Sequence, residues 1–175
     1  MKGILNLSNK IIPAEPSKWD IRYLELAKQL SSWSKDPSSK IGAVAIGDKG
    51  QVLSCGYNGF PRNIVDRPDR LNNREEKYNY IVHAEMNVIY NASYNGVSID
   101  NSTLYVYGLP VCKSCSLGVV QVGISRVVMP HQKITDRWLD SWIQSRRIFK
   151  EAGVKWDFVQ YDGYNQSDIE YTEES

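Results

Sequence analysis

Ser102-Thr103-Leu104-Tyr105-Val106-Tyr107-Gly108-Leu109-Pro110-Val111-Cys112-Lys113-Ser114-Cys115 is the stretch that decides the fold. Residues 102–107 read as a strand, and Gly108-Leu109-Pro110 is a turn signal. Cys112 and Cys115 then open a helix continued by Val119, Val120 and Val122, with Gly123 as its stop. Residues 126–129 form the next strand, which Pro130 ends. A strand that turns directly into a helix and returns as a strand is a unit of an α/β fold.

Working outward, Ile81-Val82 lead into a helix that starts at His83, shows Met86, Ile89 and Tyr90 on one face, and ends near Asn95-Gly96. Before it, Ile41-Gly42-Ala43-Val44-Ala45-Ile46 and Val52-Leu53-Ser54-Cys55-Gly56-Tyr57 flank Gly47-Asp48-Lys49-Gly50, a hairpin-type turn. Tyr23, Ala27 and Leu30 recur at helical spacing from Trp19-Asp20, with Asp20 as the expected N-cap, and Ser34-Lys35-Asp36-Pro37 ends that helix. On the other side, residues 134–152 are an amphipathic helix carrying Trp138, Trp142, Ile143 and Phe149, and residues 154–161 alternate like a last strand. A hairpin followed by strand–helix alternation predicts a mixed sheet with helices on both faces. Residues 62–80 mix arginines and acids, look too polar for core, and turn helical from about Asn73. A long segment of this kind serves function or the surface.

The chain has 175 residues, enough for one domain with a full core. Residues 1–18 read as an arm, 19–162 as the domain, and 163–175 as an acidic tail expected to be disordered. Hydrophobic residues are 42%, charged residues 23% and the net charge +1, which argues against a dedicated nucleic-acid binder. No apolar run approaches the roughly 20 residues of a membrane span, and the first residues, with Asn6, Ser8, Asn9 and Lys10 among them, do not read as a convincing signal peptide. Three cysteines supply no disulfide framework, as expected of a cytoplasmic protein.

Chemistry concentrates at the two helix starts. Cys112 and Cys115 lie one turn apart, so both thiols face one way, and the partial positive charge of a helix N-terminus favours thiolates. His83 and Glu85 open the other helix. One imidazole and two thiolates give zinc three ligands and leave a fourth position open, the pattern of a catalytic site. Zinc would acidify a water there, and Glu85 is placed to carry its protons. Alone, a His-x-Glu is a common accident, and a Cys-x-x-Cys suits redox chemistry or half of a structural zinc ribbon. A ribbon needs a second pair, and the remaining Cys55 reads as a small buried hydrophobe in a strand. His131 is the only other histidine. Both halves together, in this order, match the signature of zinc-dependent nucleobase deaminases.

Further pieces narrow the match. Trp33-Ser34-Lys35-Asp36-Pro37, Lys40-Ile41-Gly42-Ala43-Val44, Gly56-Tyr57-Asn58-Gly59-Phe60-Pro61, His83-Ala84-Glu85-Met86-Asn87 and Pro110-Val111-Cys112-Lys113-Ser114-Cys115 resemble the deoxycytidylate deaminases, over about Trp19 to Val159. The resemblance implies a three-layer α/β/α sandwich with a five-stranded mixed sheet, and hydrolysis of dCMP to dUMP and ammonia. It implies zinc on His83, Cys112 and Cys115, proton transfer by Glu85, and the pyrimidine carbonyl held by the Ala84 N–H. Asn58 resembles the family's sugar-contacting asparagine, although Asn-Gly is also plain turn chemistry. Ser34, Lys35 and Lys133 are the phosphate candidates it implies; the alternatives are a turn cap for Ser34 and a solvated Lys35. Homo-oligomers, often hexamers, regulated by dCTP and dTTP are further implications, with Gly59, Arg62, Arg70 and Arg74 as candidate effector residues. Charge-balanced arginines are more often the mark of a solvated surface than of a phosphate site. One departure is Val111, which separates Pro110 from Cys112.

Overall fold

The structure is a computed structural model that describes residues 13–132 and 134–162. The expected tail, Lys133 and the arm up to residue 12 lie outside the described residues.

Helix α1 (Lys18–Ser31) begins where a reciprocal cap can form. The Ser17 hydroxyl accepts from the Asp20 N–H at 3.1 Å, and the Asp20 carboxylate accepts from the Ser17 N–H at 3.0 Å. This corrects the expectation that Asp20 is the N-cap: the cap is Ser17, and Asp20 completes the capping box three residues later. Leu24, Ala27 and Leu30 then face inward together.

Five strands form one sheet in the order β2-β1-β3-β4-β5. They are β1 (Gly42–Ile46), β2 (Val52–Tyr57), β3 (Thr103–Tyr107), β4 (Arg126–Pro130) and β5 (Lys155–Val159). β1 is antiparallel to both β2 and β3, while β3, β4 and β5 are parallel. Period-two alternation divides the core into two layers. Val44 and Ile46 face α1 with Tyr105, Val128 and Val159. Ala43, Ala45, Leu104, Val106, Val127 and Met129 face the opposite layer. That layer consists of α4 (Ala84–Asn95), α5 (Lys113–Gln121) and α6 (Asp136–Ala152), which contribute Val88, Val119 and Phe149. The expected three-layer sandwich is therefore present.

Between β2 and α4 run two short helices, α2 (Pro68–Asn72) and α3 (Arg74–Tyr80). Asn73 separates them and caps α3 by accepting from the Glu76 N–H at 3.2 Å. The helix expected from Asn73 is there, and α2 is additional. The expectation that this segment is too polar to be buried fails at one residue. Lys77 is only 4% exposed, because its ammonium donates to Asp36 at 2.8 Å and to the Ser38 hydroxyl at 3.0 Å. A charge enters the interior when it brings its counter-ion and further hydrogen bonds.

Other boundaries shift locally. Pro130 lies within β4, opposite Val159, rather than beyond it. α6 starts at Asp136, two residues later than expected, after the Thr135 cap. Cys55 is half-buried and packs toward α1, whereas Ser54 and Gly56 are the inward residues of the edge strand β2. No described helix is long and apolar enough to cross a membrane.

Candidate metal centre and active site

The topology brings strand ends together at one end of the sheet. Tyr107 at the end of β3 and Tyr57 at the end of β2 both pair with Gly42 at the start of β1. Ligands in α/β sheets bind outside the carboxyl ends of such strands. Gly108, just past β3, has φ +116°, and a Cβ there would meet the Ile41 side chain at 2.4 Å and the Lys40 carbonyl at 2.9 Å. Only glycine allows this tight exit into α5.

α5 starts with Cys112 as its N-cap, whose sulfur accepts from the Cys115 N–H at 3.5 Å. α6 fixes the same turn from behind. Ser145 donates to the Val111 carbonyl at 2.8 Å, and Ser141 accepts from the Lys113 N–H at 3.0 Å. The additional residue Val111 is thus buried in the core, with its carbonyl satisfied by Ser145. α4 starts with His83 as its N-cap. It is tied to the edge strand β2 by Asn87, donating to the Tyr57 carbonyl, and Asn91, donating to the Cys55 carbonyl, both at 2.7 Å. Ser54 donates back to the Val88 carbonyl at 2.7 Å. The two helices therefore hold their first turns against each other.

There the His83 Nδ1 lies 3.4 Å from the sulfur of Cys112 and 3.4 Å from that of Cys115. All three ligand atoms fall within 4.8 Å of one another. Tetrahedral zinc with ordinary bond lengths places nitrogen and sulfur ligands about 3.6 Å apart. The arrangement fits a zinc ion with little adjustment, and among the described residues no fourth histidine, cysteine or acid joins this group.

The electrostatics fit as well. The hydrogen bond from Cys115 lowers the Cys112 thiol to about 4, against the cost of burial and with further help from His83. The Cys115 thiol is raised, first by that same bond and then by burial, so without a metal the two sulfurs share one proton. Hydrogen bonding to Cys112 raises His83 to about 9. Glu85, 3% exposed, is pushed up to about 7 by burial, with the His83 charge pulling the other way. A carboxyl group that titrates near neutrality can both take and give a proton.

His83, Glu85 and Cys112 open onto a cavity of about 170 Å³. Asn58 also lines it, with both its side-chain oxygen and nitrogen hydrogen-bonded. The Asn58 amide donates to the Ser39 carbonyl at 2.8 Å, and its oxygen accepts from the Ile41 N–H at 2.8 Å. Ala84 is buried at the start of α4. Ser34 and Lys35 do not line the cavity. The Ser34 hydroxyl is buried, donating to the Asn58 carbonyl at 2.8 Å and accepting from the Asp36 N–H at 3.2 Å. Lys35 is exposed and pairs with Asp66 at 2.8 Å. Of the four residues expected at an effector site, Gly59 and Arg62 line a second hollow with Trp33, Tyr57 and Tyr90. Arg70 pairs with Glu76 at 3.5 Å and stacks on Tyr80, while Arg74 belongs to the zinc-site cavity. Lys77, Tyr78, Arg137 and Trp138 also line that cavity without having been anticipated. Their helical spacing on α3 and α6 was visible, but nothing local indicated that the two helices meet.

Replacing the amino group of a nucleobase with oxygen requires a water made nucleophilic and an acid–base group beside it. Zinc on His83, Cys112 and Cys115 would supply the first and Glu85 the second, the parts of a zinc-dependent deaminase. The family model for the cytidine and deoxycytidylate deaminase zinc-binding region matches residues 17–131. The chain belongs to that family. It is 35% identical over 148 residues to an uncharacterized deaminase of Aliivibrio fischeri, covering 83% of this chain and 97% of the relative. It is 31% identical over 142 residues to the human deoxycytidylate deaminase, covering 78% and 77%. The dCMP deaminase of cyanophage S-TIM5, solved in complex with dCMP and dUMP, superposes with a TM-score of 0.66 at 22% identity, over 83% of this chain and all of that one.

Proposed function

We propose that the protein hydrolyses dCMP to dUMP and ammonia. The observation that carries this reading is the buried Glu85 opening onto the same cavity as His83 and Cys112, two of the three grouped candidate zinc ligands. The relatives named as deoxycytidylate deaminases support the choice of substrate. When bound, zinc supplies the Lewis acidity that makes water a usable nucleophile near neutral pH. Glu85 takes one proton from that water and passes it to ring N3, while oxygen bonds to C4. It then carries the second proton to the exocyclic nitrogen, the C4–N bond breaks, and ammonia leaves. The Ala84 N–H holds the pyrimidine carbonyl. The Asn58 amide braces the turn beneath the sugar through Ser39 and Ile41.

Glu85→Gln keeps the zinc ligands and removes the proton carrier. It retains one zinc per chain and loses at least about a hundredfold in turnover, as expected for a general acid–base group. Metal analysis with an ammonia-release assay on dCMP, CMP, dCTP and deoxycytidine tests both substrate and mechanism; full turnover in the variant removes Glu85 from the reaction. The homo-oligomer and the dCTP and dTTP responses implied by resemblance are assigned to the hollow lined by Gly59 and Arg62, where exposed Trp33, Tyr57 and Tyr90 lie. Light scattering and assays with either triphosphate test this, and a monomer indifferent to both rules it out. A cytoplasmic setting suits the paired thiolates.

A further inference from the structure

We propose that Arg74 and Arg137, with the Tyr78 hydroxyl between them, form the seat of the substrate's 5′-phosphate and set the preference for nucleotide over nucleoside. The inference rests on the cytosine-nucleotide reading above. It places this task on residues other than the Ser34–Lys35 turn and Lys133 that the family resemblance indicated.

The charge balance of the cavity wall comes first. Its lining cations include Lys77, Arg74 and Arg137. Lys77 is committed to Asp36 at 2.8 Å, so that pair contributes no net charge. The neighbouring arginines of the charged segment are also engaged: Arg67 with Asp69 at 2.6 Å and Arg70 with Glu76 at 3.5 Å. Among the described residues, no carboxylate lies within ion-pair distance of Arg74 or Arg137. Two guanidinium groups without acidic partners in one cavity are a site for a multiply charged anion.

Their placement is specific. Arg74 and Tyr78 are four apart on α3 and so share a face. Arg137 reaches the same ring from the first turn of α6. The guanidinium carbons lie 5.5 Å and 5.9 Å from the Tyr78 ring centroid. Arg137 also packs over Trp138, at 4.6 Å, and donates a hydrogen bond to the Tyr78 oxygen. A guanidinium has no acceptor, so the tyrosine oxygen must accept and its own hydrogen remains available to donate. The outcome is two forks and one hydroxyl. All three residues are exposed, whereas Glu85 and Cys115 are buried. The cavity is thus graded from a buried acid–base end, suited to the ring, to a solvated cationic mouth, suited to a phosphate.

The test compares wild type, R74A, R137A, the double variant, Y78F and the charge-conserving R74K and R137K. Two quantities are measured: kcat/KM on dCMP relative to deoxycytidine, and calorimetric affinity for dUMP relative to deoxyuridine. Each alanine variant lowers both ratios by about tenfold or more, chiefly through KM and Kd, as expected when a charge-assisted hydrogen bond is lost. The double variant lowers them further, and the lysine variants retain part of the preference. A double variant with wild-type ratios overturns the seat. Wild type inert on every cytosine substrate overturns the deaminase reading instead, and the seat then stands or falls on the binding ratio alone. Should an alanine variant fail to fold, the lysine variants and Y78F decide.

Discussion

His83 Nδ1 lies equally far from two sulfurs that between them hold one proton. Without a metal, hydrogen bonding favours the thiolate at Cys112, the thiol at Cys115 and the imidazolium at His83, since it lowers the first group and raises the other two. Zinc requires two thiolates and a neutral imidazole, so binding at neutral pH expels one proton from Cys115 and one from His83. Zinc affinity should therefore rise about a hundredfold per pH unit between pH 5 and 8. Competition with a chelator at several pH values, or calorimetry in buffers of different ionisation enthalpy, measures it; a pH-independent affinity contradicts the assignment. The same residues explain what could be read from the sequence. The four zinc-site side chains sit at two helix starts, each marked by its own short pattern. The Lys77–Asp36 pair joins positions that no local pattern connects, and the Ser34–Lys35 turn looked equally suited to a cap or a phosphate until its hydroxyl was seen bonded inward.

At the scale of elements, α4 can deliver Glu85 only because β2 lets it come close. A Cβ on Gly56 would lie 2.7 Å from the Val88 nitrogen and 2.8 Å from the Ala84 carbonyl, both backbone atoms of that helix. Gly56→Ala must push α4 outward. It should lower turnover by more than its loss of stability explains, since small misplacements of a reacting group cost heavily. Turnover measured well below the melting temperature, with zinc content as a control, separates the two effects; a stable variant with normal turnover contradicts it. The buried Asp36–Lys77 pair plays the corresponding part for α3, fastening it to the turn that carries Ser38 and Ser39. Lys77→Met leaves Asp36 buried without a counter-ion and should cost roughly 3–5 kcal/mol. Denaturant titration tests this, and the double variant with Asp36→Asn should recover part of the loss. Alternating hydrophobic residues made the strands readable. The α3–α6 meeting was not, because it depends on how two separate connections lie over the sheet.

Across the whole molecule, one charged chain links the layers. Asp20 of α1 accepts from the Tyr105 hydroxyl of β3 and from Arg126 of β4, both at 2.9 Å, and Arg126 continues to Asp157 of β5 at 2.8 Å. Burial pushes the Asp20 carboxyl upward, but the bonds from Arg126, Ser17 and Tyr105 outweigh it and hold it below its ordinary value. A depressed carboxyl group stabilises the fold above its unfolded pKa, near 3.9, and loses that contribution as pH falls through the lower folded value. Arg126→Ala should therefore raise the pH of acid unfolding, while changing stability far less where Asp20 is charged in neither state. Circular dichroism across an acid titration shows it; an unchanged midpoint contradicts it.

The strand order also has a consequence in time. β1 pairs with β2 across a short turn, so that hairpin needs little chain to be closed. Its other edge pairs with β3, where Ile46 meets Thr103, and closing so long a loop costs entropy before any contact rewards it. His83 and the two cysteines lie on either side of that same β3 in the chain, which pairs with β1 and β4 in the middle of the sheet. A zinc ion held there would tie together segments that lie on both sides of β3 in the chain.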